Sequence, residues 1–190
     1  MAFRIHPLLE PKKGSFLLAQ AYLGDPNFER SVVLLTEHNG DGSLGFVVNR
    51  QASVSLNQIL PDFPPLSAPV FMGGPVEKDH LFYLHNKGDL IPKSQKIRRG
   101  LYWGGEYSAL KELVAQGLVG PNDIHFYLGY SGWSIGQLES EVKMHSWEVI
   151  DVASIGLNEL RNAQLWTAML RNTGTEAAYW HTAPEDPQWN

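Results

Sequence analysis

The chain has 190 residues, of which 43% are hydrophobic and 18% charged, and a formal net charge of −5 at pH 7. This composition excludes a disordered chain, the length allows a core without covalent staples, and the acidic balance removes any global electrostatic reason to bind nucleic acid. The absence of cysteine excludes disulfides, thiolate nucleophiles and cysteine-bound metals.

No apolar run is long enough to cross a bilayer. Residues 1–7 carry no sustained apolar segment after their basic residue, so no secretory signal and a cytoplasmic location are expected. Residues 14–21 are a short apolar run between Gly14 and the turn cluster Gly24-Asp25-Pro26-Asn27, which predicts a buried strand. Residues 31–37 are apolar and β-branched, with residues 45–49 as their partner strand. The intervening Asn39-Gly40-Asp41-Gly42 tolerates positive φ, and a hairpin follows.

A short helix is expected within 54–60. The prolines of 61–69 forbid regular structure after it. Val70-Phe71-Met72 reads as a strand ending in a Gly73-Gly74 turn with exposed backbone N–H groups. No lysine and serine follow at the spacing of a phosphate loop. Residues 81–85 and 101–103 are further strands, joined by a loop that holds Lys93, Lys96, Arg98 and Arg99. That loop reads as a solvated face in preference to a phosphate-contacting patch. Residues 105–116 form a helix stopped by Gly117.

The stretch 126–141 carries the least replaceable residues. It reads as a buried strand, a reversal bracketed by Gly129 and Gly132, and a helix opened by a Ser134/Gln137 capping box. A strand over 147–152 and a last helix over 157–171 follow, the helix burying Trp166, Met169 and Leu170 and ending at Gly174. The pattern predicts an α+β fold with a mixed, largely antiparallel sheet flanked by helices. One domain is expected over 1–172, with room for a small inserted subdomain. A tail over 173–190 docks in part through Tyr179, Trp180 and Trp189.

Candidate chemistry is thin. Ser131 sits where a nucleophile elbow would place its serine, but Trp133 occupies the position where that turn needs glycine. Glu139 and Glu141 would project about 200° apart on a helix and share no substrate. His145 with Glu148 and Glu37 with His38 fall short of a zinc pair. Arg50 offers a fork for a carboxylate or phosphate, the plainer reading being an ion pair with Glu29 or Glu139. Trp133, following a turn, is the tryptophan expected to cover a cleft or meet a partner.

Four blocks together resemble the YqgE/AlgH family. They are Asp25-Pro26-Asn27-Phe28-Glu29-Arg30-Ser31-Val32-Val33-Leu34-Leu35, Gly45-Phe46-Val47-Val48-Asn49-Arg50, Gly73-Gly74-Pro75-Val76, and Gly129-Tyr130-Ser131-Gly132-Trp133 with Gly136-Gln137-Leu138-Glu139. Gln51 stands where that family has proline, and Ser134-Ile135 where glycine-proline is common. The resemblance implies an α+β protein with no established reaction and no cofactor, in a family whose members are sometimes labelled transcriptional regulators. A ligand site is expected where the blocks converge, at Asn49, Arg50, Gly73, Gly74, Tyr130, Ser131, Trp133, Gln137 and Glu139. Backbone N–H groups, a helix N-terminus and Arg50 would suit an anionic small molecule, and a protein partner is the other candidate. Two other readings stay open: regulation of transcription through residues 93–99, with direct nucleic-acid contact not expected, and hydrolysis using Ser131.

Overall fold

The structure, a computed structural model, describes residues 9–171 and 173. Strands β1 (Phe16–Ala19), β2 (Val32–Asn39) and β3 (Gly42–Val47) precede helix α1 (Leu56–Ile59), and β4 (Val70–Met72), β5 (Val76–His85), β6 (Gln95–Arg98) and β7 (Leu101–Trp103) precede α2 (Tyr107–Ala115). After them come β8 (Ile124–Trp133), α3 (Gln137–Lys143), β9 (Trp147–Ile150), a 3-10 turn (Asn158–Arg161) and α4 (Leu165–Leu170). The strands form one mixed sheet in the order β6-β7-β5-β8-β3-β2-β1-β9, with β4 parallel to β8 and the other named pairs antiparallel. The α+β expectation therefore holds. No helix among the described residues is long and apolar enough to cross a membrane.

The predicted hairpin forms as β2 and β3, with Asn39 opposite Gly42 across the turn. Helix α2 ends before Gly117, whose φ of +71° supplies the left-handed residue that terminates a helix. Helices cover both faces of the sheet. The 3-10 turn and α4 bury Leu160, Leu165 and Trp166 against Phe16, Leu34 and Tyr127. Leu138 and Val142 of α3 pack on Leu35, Val47 and Trp133. Helices α1 and α2 cover Val70 and Phe126 with Leu56, Leu110 and Val114. Strand β1 is sandwiched, with Phe16 and Leu18 in one cluster and Leu17 and Ala19 in another, as the two-residue alternation of a strand requires.

Several expectations are corrected. The reversal expected between Gly129 and Gly132 is absent, because β8 runs unbroken to Trp133 with Gly132 opposite Leu44 of β3. The chain turns only at residues 134–136, and Gly136 (φ +74°) rather than Ser134 caps α3. The long last helix is two short pieces. The Asn162 side chain accepts the Gln164 N–H at 2.9 Å, a local bond that competes with the helix between them. The basic loop contains strand β6, and Arg98 donates to the carbonyls of Val152 and Ile155 over the Phe16 ring. The end of that helix at Gly174, docking of the tail, and residues 1–7 lie outside the described residues.

Two buried histidines give the fold a pH dependence. His125 is fully buried, and neither ring nitrogen meets a partner among the described residues. Burial first, and the Arg161 charge second, push its pKa down to about 4. His85 is also fully buried and lowered by burial. A histidine held neutral in the folded state binds its proton more readily once unfolded, so the stabilisation is complete above the ordinary histidine pKa. It is lost as pH falls from about 6.5 toward 4. Denaturant titrations are expected to give about 3 kcal/mol less stability at pH 4 than at pH 7.5 from His125 alone, and His125→Phe should flatten that difference.

Candidate functional site

The glycine-marked blocks meet, and their first role is to tie strands together. Phe126 of β8 is paired on one edge with Val70 of β4 and on the other with Tyr83 of β5. Between those strands the chain must therefore pass across β8, and it does so at Gly73-Gly74-Pro75. A Cβ on Gly73 would stand 2.3 Å from the Gly129 carbonyl oxygen, and one on Gly74 (φ +157°) 2.2 Å from the Tyr130 carbonyl. Gly129 (φ +68°) is crowded in return, at 2.6 Å from the Val76 carbonyl oxygen. Only glycine permits this approach.

The polar atoms of Gly73 and Ser131 are consumed by the crossing. The Gly73 N–H donates to Leu128, and the Gly73 carbonyl accepts from the Val47 N–H and, at 3.2 Å, from the Ser131 hydroxyl. Ser131 is wholly buried there. The N–H of Gly73 is thus not exposed, and the hydrolase reading has no accessible nucleophile at Ser131.

Asn49 and Arg50 clamp the first block. The Asn49 side chain accepts the Val32 N–H and donates to the Arg30 carbonyl. Arg50 donates to the backbone carbonyls of Pro26, Asn27 and Glu29 at 2.9–3.2 Å, in place of the ion pair expected with a Glu29 or Glu139 carboxylate.

At the far end of β8, one carboxylate gathers three donors. Glu141 Oε2 accepts the indole N–H of Trp133 at 2.9 Å and of Trp147 at 2.7 Å, while Oε1 accepts from the Gln137 amide at 2.9 Å. Phe28 packs against both indoles. Trp133 is only 6% exposed: its indole anchors α3, and the residue also borders a groove at the hairpin end of the sheet. Gln137 Oε1 accepts the Ser134 N–H, which leaves that group unavailable to an anion. Glu139 faces His38, whose other ring nitrogen lies against Ser43.

A groove of about 480 Å³ opens at the hairpin end of the sheet, lined by Glu37, Asn39, Asp41, Gly42, Ser43, Leu44, Val76, Tyr130, Gly132, Trp133 and Ser134. Of the expected site residues it gathers Tyr130 and Trp133. Asn49, Arg50, Gly73, Gly74, Ser131, Gln137 and Glu139 do not line it. Its floor is the cross-strand row Glu37, Leu44 and Gly132, which the pairing puts on one face. Tyr130 lies over Gly132, where a Cβ would come within 3.2 Å of its ring. Sequence reasoning missed Glu37 because a register shift between Leu35 and Glu37 breaks the alternation. Leu35 packs beneath α3, and Glu37 is turned to the opposite face. The acid within the Asn-Gly-Asp-Gly turn was the available signal for Asp41.

The crossing and the single mixed sheet define a class of small α+β protein whose glycine blocks are strand crossings and clamps. The profile described as AlgH-like matches residues 16–178, and the chain belongs to that family. A UPF0301 protein of Chlorobaculum tepidum is 38% identical over 94% of this chain and 96% of its own length. One of Cytophaga hutchinsonii is 39% identical over 94% and 98%. The solution structure of the AlgH protein from Pseudomonas aeruginosa superposes with a TM-score of 0.69 at 29% identity, covering 94% of this chain and 98% of that one. The crystal structure of protein DIP2367 from Corynebacterium diphtheriae has the same fold, with a TM-score of 0.75 at 19% identity over 95% and 97%.

Glu141→Ala should leave two buried indole N–H groups unpaired and cost about 2–4 kcal/mol in chemical denaturation. The tryptophan emission should shift as well, since two indoles lose their carboxylate.

Proposed function

We propose that this protein, built on one domain over residues 1–172, is a binding protein whose ligand or partner occupies the groove between the β2–β3 hairpin and the end of β8. The observation that carries the reading is the groove itself, open surface beside a region where the other polar groups are committed. Its volume of about 480 Å³ suits a small molecule or a few residues of a partner. The serine, arginine and asparagine of the glycine blocks hold backbone atoms, so they favour an architectural role over a catalytic one. Regulation by direct contact with nucleic acid gains no support from Arg98, whose guanidinium is spent on two carbonyls.

Fragment titrations followed by amide chemical shifts should cluster at Leu44, Tyr130 and Gly132. Gly132→Val should push the Tyr130 ring into the groove and abolish those shifts, while thermal unfolding stays within a few degrees of the parent. Shifts that cluster elsewhere and survive this substitution would sink the reading.

A further inference from the structure

The groove has a one-sided charge. Among the described residues, Glu37 and Asp41 are its only carboxylates, and no lysine, arginine or histidine lines it. Glu37 is half-buried, and neither carboxylate has a basic partner among the described residues. Carboxylates of one sign lining a groove focus a negative field there that favours a cationic ligand. Here the bulge before Glu37 specifically brings it to the groove face, away from His38 and Glu139 on the other side of the strand.

The remaining lining suits the rest of such a ligand. Leu44 and Gly132 make a flat apolar floor, and from Glu37 across Leu44 to Gly132 is two strand spacings, about 10 Å. Tyr130 stands at the far end with its ring over Gly132, offering a π-face that attracts cations. An acid at one end, an apolar floor and an aromatic at the other complement a protonated amine on an aliphatic stem. They oppose the anion expected from the glycine blocks.

Resting on the groove being the binding site, we infer that it recognises an alkylammonium group, from a free aliphatic amine or a lysine side chain, with Glu37 as the principal counter-charge and Asp41 in support. The test uses diaminopentane, pentanediol and glutarate, which share a carbon chain length and differ in charge, each titrated into the full chain with the Leu44 and Gly132 amide shifts as readout. Diaminopentane should shift both resonances saturably, pentanediol at least about tenfold more weakly, and glutarate not at all. Glu37→Gln should weaken diaminopentane about tenfold, whereas Glu112→Gln, an exposed acid on α2, should leave it unchanged. A Gly-Lys-Gly peptide run beside it separates the two sources: tighter binding by the peptide points to a protein lysine, tighter binding by diaminopentane to a free amine, and either supports the inference. Equal binding of pentanediol or glutarate, or equal loss in the two variants, would overturn it. If the neutral or anionic compound shifts Leu44 and Gly132 while the amine does not, the groove survives as a binding site and only the amine is wrong. If none of the probes shifts them, the amine inference fails, and the groove reading is judged by the fragment titrations.

Discussion

The chain must cross its own central strand, and the rest of the architecture depends on that crossing. β8 carries β4 on one edge and β5 on the other, and only three residues, Gly73, Gly74 and Pro75, separate those strands. So short a connection cannot arch over a strand bearing side chains at the point of passage. Backbone has to lie on backbone, which demands glycine on both sides and accounts for Gly73, Gly74 and Gly129 together. The Gly73 carbonyl then becomes a junction for β3 and β8, through Val47 and Ser131. A larger residue at this point would not be a local defect, because it would separate three strands.

Around the crossing, polar side chains act as fasteners in places where apolar packing gives no direction. Asn49 and Arg50 bind the loop of residues 26–30 through its carbonyls, and Asn49 also holds the Val32 N–H at the start of β2. Glu141 binds two tryptophans from β8 and β9 to α3. Arg50 holds carbonyls at the surface and Asn49 part-buried backbone groups, while Glu141 satisfies buried indole N–H groups that would otherwise go unpaired. A carboxylate in such a position resembles a candidate acid or base when seen only as a letter in the chain. Its neighbours make it a structural acceptor.

The groove is the exception to this economy. It sits at the hairpin end of the sheet, over a row containing Gly132, and its acids have no basic partner among the described residues. An open surface of that kind is built by what is missing among the described residues: a side chain at residue 132 and a basic residue on the groove face beside Glu37. Neither can be recognised from a motif. The glycine blocks drew attention to the correct strand, since Tyr130 and Trp133 do line the groove, but their other members face the fold's own backbone.

Local composition by itself determined much of this protein. Apolar and β-branched runs specified β1, β2, β4 and β8, Asn39 to Gly42 specified the hairpin, Gly117 stopped α2, and the four-residue spacing of Leu138 and Val142 named the buried face of α3. These features depend on neighbours within a few residues, which the chain order displays. Tertiary structure alone decided the others. Gly129 to Gly132 could equally be a turn or a strand under a crossing, and only the presence of Gly73-Gly74 overhead selects the strand. The face on which Glu37 lies depends on a register shift against β3, and the duties of Ser131, Arg50 and Glu141 depend on partners 58, 21–24 and 6–8 residues away. Periodicity records which residues are buried, but the choice of partner is made by strand pairing across the sheet, where distance along the chain no longer measures distance in space.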